Sequence, residues 1–377
     1  MRIYADYAAT APLRRVALDA MCRAAETSFG NPSSLHTAGE RASATLARAR
    51  EEIAALLGAA PDEVIFTSGG TEADNQAIRS AAECGRQTGQ RHIVSTEIEH
   101  PAVLRTLEAL QQDGFTVTLV APDRRGIVSP EAIESAIRED TVLVSVMLAQ
   151  NEIGTIQPAG EIASLCRARG VLFHTDAVQA VGQIPVDFAA LGADYLALSA
   201  HKFGGPRGIG VLLARTGAPV SPLLLGGGQE AMRRAGTENV PGAVGLAAAL
   251  GEAIRGMPAE IVRLAALRDG LIAQLTEIPG AVLNGDATQR LPGNVNVSLR
   301  GYSGENLVLR LDALGIECSS GSACCAGSEE PSRVLRAIGR TDDEALAGLR
   351  ISLGRENTEE DCSMIAHCLS GIVENKA

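Results

Sequence analysis

Ser199-Ala200-His201-Lys202-Phe203-Gly204-Gly205-Pro206 follows directly on Tyr195-Leu196-Ala197-Leu198, an apolar run of strand length. A hydroxyl, an imidazole and an amine are thus gathered where a strand gives way to a loop. Lysine is scarce in this chain: only two of its 33 basic residues are lysines, Lys202 and Lys376. Base composition of the genome accounts for such a bias. Its consequence is chemical. A chain terminus is usually frayed, so an amine nucleophile, if one is used, is Lys202.

Upstream of this stretch, from about residue 50, short apolar runs alternate with longer amphipathic segments. Val64-Ile65-Phe66-Thr67 reads as a strand, followed by Ser68-Gly69-Gly70-Thr71 and a helix through about Cys84. His92-Ile93-Val94-Ser95 reads as a strand, and a helix starts at Pro101, a residue suited to a first helical turn. Residues 115–120, 142–147 and 171–174 are further strands, and 158–169 is a helix. The alternation predicts an α/β fold: a large domain whose mainly parallel sheet is covered by helices on both faces. Ligands of such sheets bind beyond the carboxyl ends of the strands. Thr71, Asp176 and Lys202 each fall at such an end.

The large domain is expected over residues 15–255, closing with the Gly-rich passage Leu225-Gly226-Gly227-Gly228-Gln229 and a helix near 243–255. Residues 1–14 and 256–377 are expected to form a smaller α+β domain, with strands at 295–299 and 315–318. It carries a loop of small residues at about 318–333.

A formal net charge of -12 argues against a nucleic-acid surface, which needs clustered positive charge. Aromatics at 3% leave little for stacking on bases. No apolar stretch reaches membrane-spanning length. The N-terminal residues lack the basic-then-apolar pattern of a signal peptide, and a cytoplasmic protein with reduced thiols is expected.

Lysine chemistry of the Schiff-base kind needs an amine near a carbonyl compound. Pyridoxal phosphate, the commonest such cofactor, requires an anion site, an acidic partner for its pyridine nitrogen and a flat contact for its ring. Ser68-Gly69-Gly70-Thr71 opens a helix, where N–H groups and the helix dipole favour a phosphate. Ser199 and His201 bracket the lysine and offer further donors. Asp176 can keep a pyridine nitrogen protonated. Each residue also has a plainer reading: Gly70-Thr71 as a helix cap, Asp176 as a turn residue, His100 as a helix-entry residue, and Asn151 and Gln179 as loop and helix polar residues.

Together the motifs resemble those of the cysteine desulfurases of the NifS/IscS type, pyridoxal-phosphate enzymes of fold type I within the class V aminotransferases. The resemblance spans nearly the whole chain. It is carried by Tyr4-Ala5-Asp6-Tyr7-Ala8-Ala9-Thr10, Gly30-Asn31-Pro32-Ser33-Ser34, Thr67-Ser68-Gly69-Gly70-Thr71-Glu72 and Asn151-Glu152-Ile153-Gly154-Thr155-Ile156-Gln157-Pro158. His174-Thr175-Asp176-Ala177-Val178-Gln179, the Lys202 stretch and residues 227–239 complete it.

The resemblance implies a role for each position. Lys202 would hold the cofactor as a Schiff base and move protons; His100 would stack on the ring and act as an acid or base. Asp176 would pair with the ring nitrogen, and Asn151 and Gln179 with the ring hydroxyl. Gly70, Thr71, Ser199 and His201 would bind the phosphate. Thr237 would reach the phosphate of a neighbouring copy, implying a homodimer. Arg350 would clamp the substrate carboxylate, a job suited to a bidentate guanidinium, with help from Asn31.

Ser319-Ser320-Gly321-Ser322-Ala323-Cys324-Cys325-Ala326-Gly327-Ser328 is too small-residued to pack much core, so a structural cysteine fits it poorly. By the resemblance Cys324 is the thiol that takes sulfur from L-cysteine as a persulfide, leaving L-alanine, and hands it to an acceptor such as an iron–sulfur scaffold. Transient iron ligation by Cys324 belongs to that picture; a permanent metal site does not, for want of paired Cys-x-x-Cys spacing. Cys325 departs from the family, which usually has Ser, Thr or His there. It is either a tolerated small residue or a second sulfur site. Cys22, Cys84, Cys166, Cys362 and Cys368 fall in helical patterns and read as packing residues. The rival readings are a selenocysteine lyase or another lyase or aminotransferase on this scaffold, and a non-catalytic sulfur carrier. Lys202, Asp176 and Thr71 argue against the last.

Overall fold

Apolar residues fill consecutive positions of the central strands, so the sheet they build must be covered on both faces. The computed structural model describes residues 2–321 and 330–374. A short strand β1 (Ile3–Tyr4) and helices α1 (Arg15–Thr27) and α2 (Thr37–Leu57) lead into β2 (Val64–Thr67). Then come α3 (Gly70–Thr88), β3 (His92–Thr96), α4 (Pro101–Gln112), β4 (Thr116–Val120), α5 (Pro130–Ala136) and β5 (Thr141–Ser145). They are followed by α6 (Ala159–Arg169), β6 (Leu172–Asp176), α7 (Phe188–Leu191), β7 (Tyr195–Ser199) and β8 (Gly210–Ala214). The resulting seven-stranded sheet has the order β2-β8-β7-β6-β5-β3-β4. From β7 to β4 every pairing is parallel, and only β8 runs against its neighbours β7 and β2.

Side chains alternate between the two faces along each strand. Leu196 and Leu198 join a core cluster with α2 and α6, whereas Tyr195 and Ala197 join another beneath α3 and α4. Both faces are buried, as expected for an α/β fold.

Helix α8 (Val240–Thr276) is longer than the 243–255 expected and continues through Pro258. A proline inside a helix removes one backbone hydrogen bond and costs about 3 kcal/mol. Packing at both ends outweighs this. Val240 to Ala253 contribute to the core of the large sheet, while Leu264, Leu271 and Leu275 contribute to a second core. That second core lies against β9 (Ala281–Leu283), β10 (Asn294–Leu299), α9 (Gly304–Ala313), β11 (Ile316–Glu317), α10 (Arg333–Ala337), α11 (Asp342–Leu346), β12 (Gly348–Ser352) and α12 (Glu359–Glu374). Strands β12-β10-β9 form an antiparallel sheet, and β1 pairs in parallel with β11. Leu291, Val334 and Leu335, though late in the chain, pack on the large core. Among the described residues no helix is long and apolar enough to cross a membrane.

Candidate active site

A cavity of about 550 Å³ opens at the carboxyl ends of β2, β6 and β7. At one end the turn from β2 into α3 passes close to the sheet. A Cβ on Gly70 would lie 2.5 Å from Val178 Cγ2, and one on Gly210 would lie 2.7 Å from Gly69 Cα. Glycine at both positions therefore leaves the first N–H groups of α3 facing the cavity edge, with Thr71 exposed beside them. Ser199, at the end of β7, and His201 line the same end. His201 Nδ1 lies 3.1 Å from Thr10 Oγ1. Burial, then the charges of Lys202 and Arg207, push its pKa down to about 4, so it is a neutral imidazole at neutral pH.

The middle of the cavity holds the titratable groups. Asp176 ends β6, is 5% exposed, and accepts a hydrogen bond from Val178 N–H at 2.9 Å. Burial raises its carboxyl above the ordinary range, and His100, the Val178 bond and Lys202 oppose that rise. His100 caps α4, accepting Ala102 N–H on Nδ1 at 3.1 Å, so a neutral ring carries its proton on Nε2. Burial is the main cause lowering its pKa. Gln179 donates to the Ala8 carbonyl at 2.9 Å, while its amide oxygen is buried without a partner. Lys202 Nζ donates to the Ala8 and Ala9 carbonyls at 2.6 and 3.0 Å. Asn151 lines the same wall.

At the far end stands Arg350 on β12, 2% exposed. Its Nη1 donates to the Asn151 carbonyl at 3.0 Å and its Nη2 to Asp6 at 2.9 Å, while Nε is buried without a partner.

The structure thus brings Gly70, Thr71, His100, Asn151, Asp176, Gln179, Ser199, His201, Lys202 and Arg350 to one cavity. Asn31 lies elsewhere: it is exposed, and its amide oxygen closes a turn by accepting Ser33 N–H at 2.9 Å. Thr237 is exposed and does not line the cavity of its own chain. Cys324 and Cys325 lie outside the described residues. Cys166 and Cys362 are buried, as expected of packing residues, but Cys22 is exposed, because it faces outward on α1.

Sequence reasoning assigned no role to Asp6, Asp74, Glu152 or Arg207. Asp74 is one helical turn beyond Gly70 and Thr71 on α3, and its carboxyl, with His100 and Asp176, forms a group whose ligand atoms lie within 4.8 Å of one another. Burial, then Asp176 and Glu99, push the Asp74 carboxyl well up. Two like charges so close and so buried cannot both ionise easily. Asp74 is therefore the protonated member and leaves the charge to Asp176. Periodicity places Asp74 on the inner face of α3; nothing local announces its neighbours.

These residues fit pyridoxal phosphate. The glycine cradle at Gly70 suits the phosphate, Asp176 suits the ring nitrogen, the orphaned Gln179 amide suits a polar ring substituent, and Lys202 supplies the amine.

Residues 3–365 match the family described as Aminotransferase class-V. The chain is 47% identical to the cysteine desulfurase IscS of Methanosarcina thermophila, covering 99% of this chain and 92% of that relative. A solved structure titled NIFS-like protein superposes with a TM-score of 0.93 at 37% identity, over 100% of both chains. Another, titled SspA in complex with cysteine, gives a TM-score of 0.82 at 35% identity, over 94% of this chain and 99% of that one.

Proposed function

The chain belongs to the class V aminotransferase family as a pyridoxal-phosphate-dependent cysteine desulfurase, and from that premise we propose how its residues divide the work. The observation that carries the assignment is the convergence of Lys202, Asp176, the Gly70–Thr71 turn and Arg350 on a single cavity.

Pyridoxal phosphate, when bound, supplies an electron sink for the α-carbon of the substrate amino acid. Gly70, Thr71, Ser199 and His201 would hold its phosphate. Asp176 would keep the ring nitrogen protonated, Asn151 and Gln179 would hold the ring hydroxyl, and His100 would lie against the ring. Arg350 binds the substrate carboxylate and so fixes which bond points at Lys202. Lys202 takes the α-proton of the substrate. The Cys324 thiolate attacks the substrate sulfur: an S–S bond forms, the Cβ–Sγ bond breaks, and its electron pair stays on carbon. One proton delivered to that carbon and one returned to the α-carbon complete L-alanine, so L-cysteine and the Cys324 thiol become L-alanine and a Cys324 persulfide. A cysteine thiol has an ordinary pKa near 8.5, and the reaction needs it ionised.

The protein acts in the cytoplasm as a homodimer in which Thr237 reaches the phosphate site of the second copy. Its persulfide goes to an acceptor protein such as an iron–sulfur scaffold.

The test uses L-cysteine labelled with radioactive sulfur. Wild-type protein retains label that a reductant releases, and Cys324→Ser keeps its visible cofactor absorbance yet retains none. Full sulfide release by Cys324→Ser would place the nucleophile elsewhere.

A further inference from the structure

Resting on that desulfurase reading, we propose that Glu152 is a positioning residue, which ties both ends of the cysteine-bearing segment to the substrate end of the site. Glu152 follows Asn151 in the turn after β5 and is 5% exposed. Its backbone is fixed from three sides. Its own N–H and that of Ile153 donate to Gln150 Oε1, and its carbonyl accepts the Asn296 and Asn294 amides at 3.1 and 3.3 Å. The carboxyl is therefore a rigid point beside the wall that carries Asn151 and Arg350.

Two stretches far along the chain meet at this carboxyl. The Ser332 hydroxyl donates to Glu152 Oε2 at 2.6 Å and at the same time accepts Leu335 N–H at 3.2 Å, capping α10. On the other side, a Cβ placed on Gly321 would lie 3.1 Å from Glu152 Oε2, and Gly321 has a φ of +118°, which side-chain-bearing residues rarely adopt. Just before it, Ser319 exchanges both backbone hydrogen bonds with Arg350, at 2.7 and 3.1 Å. Gly321 and Ser332, on either side of the stretch that bears Cys324, thus both lie against one fixed carboxyl. Burial raises the pKa of that carboxyl, and the Ser332 bond and the charges of Arg350 and Arg333 draw it back toward the ionised form. A carboxylate is the better acceptor for the Ser332 hydroxyl.

The contact is more than a loop staple. Arg350 contributes its backbone to Ser319 and its guanidinium to the Asn151 carbonyl. Ser319 and Ser332, on either side of the stretch that bears the sulfur-accepting thiol, and the guanidinium of Arg350 are consequently held in one frame. Misplacing a reacting group by about 1 Å can cost on the order of 100-fold in rate, so loosening this frame acts on sulfur capture and leaves cofactor binding alone.

The experiment is single-turnover sulfur capture from labelled L-cysteine by the dimeric holoenzyme, with cofactor absorbance and melting temperature recorded alongside. Glu152→Ala is expected to slow labelling of Cys324 about tenfold while cofactor absorbance, and its change on adding cysteine, match wild type. Glu152→Gln, whose amide oxygen still accepts the Ser332 hydroxyl, is expected to restore labelling to within about twofold. Ser332→Ala changes a half-buried residue that threatens folding little, and it is expected to slow labelling as well. The double variant Glu152→Ala/Ser332→Ala should be no slower than the slower single variant, as for residues acting through one contact. Wild-type labelling rates in Glu152→Ala or Ser332→Ala, additive losses in the double variant, or cofactor lost together with labelling would each overturn the proposal. Cys324→Ser serves as the control: label retained on that variant would sink the assignment of the persulfide to Cys324 on which the proposal rests, whatever Glu152 does.

Discussion

The Arg350 guanidinium lies 2.9 Å from the Asp6 carboxylate, joining opposite ends of the chain at one end of the cavity. Arg350 is almost wholly buried, and a buried cation without a counter-charge is costly. Asp6 supplies that charge. It also holds the planar group so that Nε, which has no partner, is left for an incoming carboxylate. On the proposed role of Arg350, substrate binding adds a second anion to a cation already half-neutralised.

Replacing Asp6 separates these effects. Asp6→Asn keeps the shape and removes the charge, and it is expected to lower folding stability by about 3 kcal/mol, as when one partner of a buried pair is lost. The carboxylate of bound amino acid then becomes the principal counter-charge of Arg350. L-Alanine, which carries that carboxylate but no sulfur, should raise the melting temperature of the variant more than that of wild type. Equal shifts would show that Asp6 does not compete for the Arg350 charge.

Lys202 donates to the Ala8 and Ala9 carbonyls, so the N-terminal segment holds its amine at the cavity wall. Lys202→Ala should retain cofactor through the phosphate and ring contacts but lose its covalent attachment. Borohydride treatment followed by denaturation will leave cofactor on wild type and none on the variant. Alanine production should fall by about 10³, the range for loss of a positioned acid–base group.

The parts of this site that were legible in the sequence share one property. Each lies at or just beyond the carboxyl end of a short strand: Ser199 and Lys202 at and after the end of β7, Asp176 closing β6, Gly70 and Thr71 after β2. In a parallel sheet that position alone directs a side chain to the ligand edge. Asp6 and Glu152 have no such signature. Their partners, Arg350 and Ser332, stand 344 and 180 residues away, and no local period encodes a pairing over such separations. Helix α8 runs past the 243–255 expected for a related reason: only the second core, assembled from Leu264, Leu271 and the strands beyond, shows why the helix continues through Pro258. The role expected of Thr237 depends on a second copy, which no period within one chain reveals.

Glu99 predicts a pH dependence of stability. It is 2% exposed, with Oε1 accepting Thr96 Oγ1 at 2.7 Å and Met147 N–H at 2.9 Å, and burial above all pushes its pKa up to about 8. An unfolded chain releases this proton near the ordinary glutamate value of about 4.3. Between these values the folded state binds more protons, so this group's contribution is full below about pH 4.3 and is lost as pH rises toward 8. Glu99→Gln preserves both accepted hydrogen bonds and removes the titration. The melting temperature of the variant should fall less between pH 5 and 8 than that of wild type. Parallel curves would mean that Glu99 is ionised throughout.

Glu230, Ala231 and Met232 have φ of 50°, 54° and 68°, three successive residues with side chains in the left-handed region. Each such residue costs about 1 kcal/mol or more. What holds the run is the buried Glu230 carboxylate, which pairs with Arg50 through both oxygens at 2.6 and 2.9 Å and accepts Phe66 N–H at 3.0 Å. The strain and its restraint are adjacent, so they can be relieved separately. Ala231→Gly removes the Cβ that opposes the left-handed conformation, and it should stabilise the chain by about 1 kcal/mol in a denaturant titration. Glu230→Ala leaves Arg50 without its partner and the strain without restraint, and should destabilise by about 3 kcal/mol. In the double variant the glycine should recover part of that loss, because an unstrained turn needs less holding. The segment runs on to Thr237, so by the dimer reading Glu230→Ala should also weaken pyridoxal phosphate binding in the dimer, whereas Ala231→Gly should leave it unchanged. A Glu230→Ala variant with wild-type stability would show that the run of positive φ holds itself.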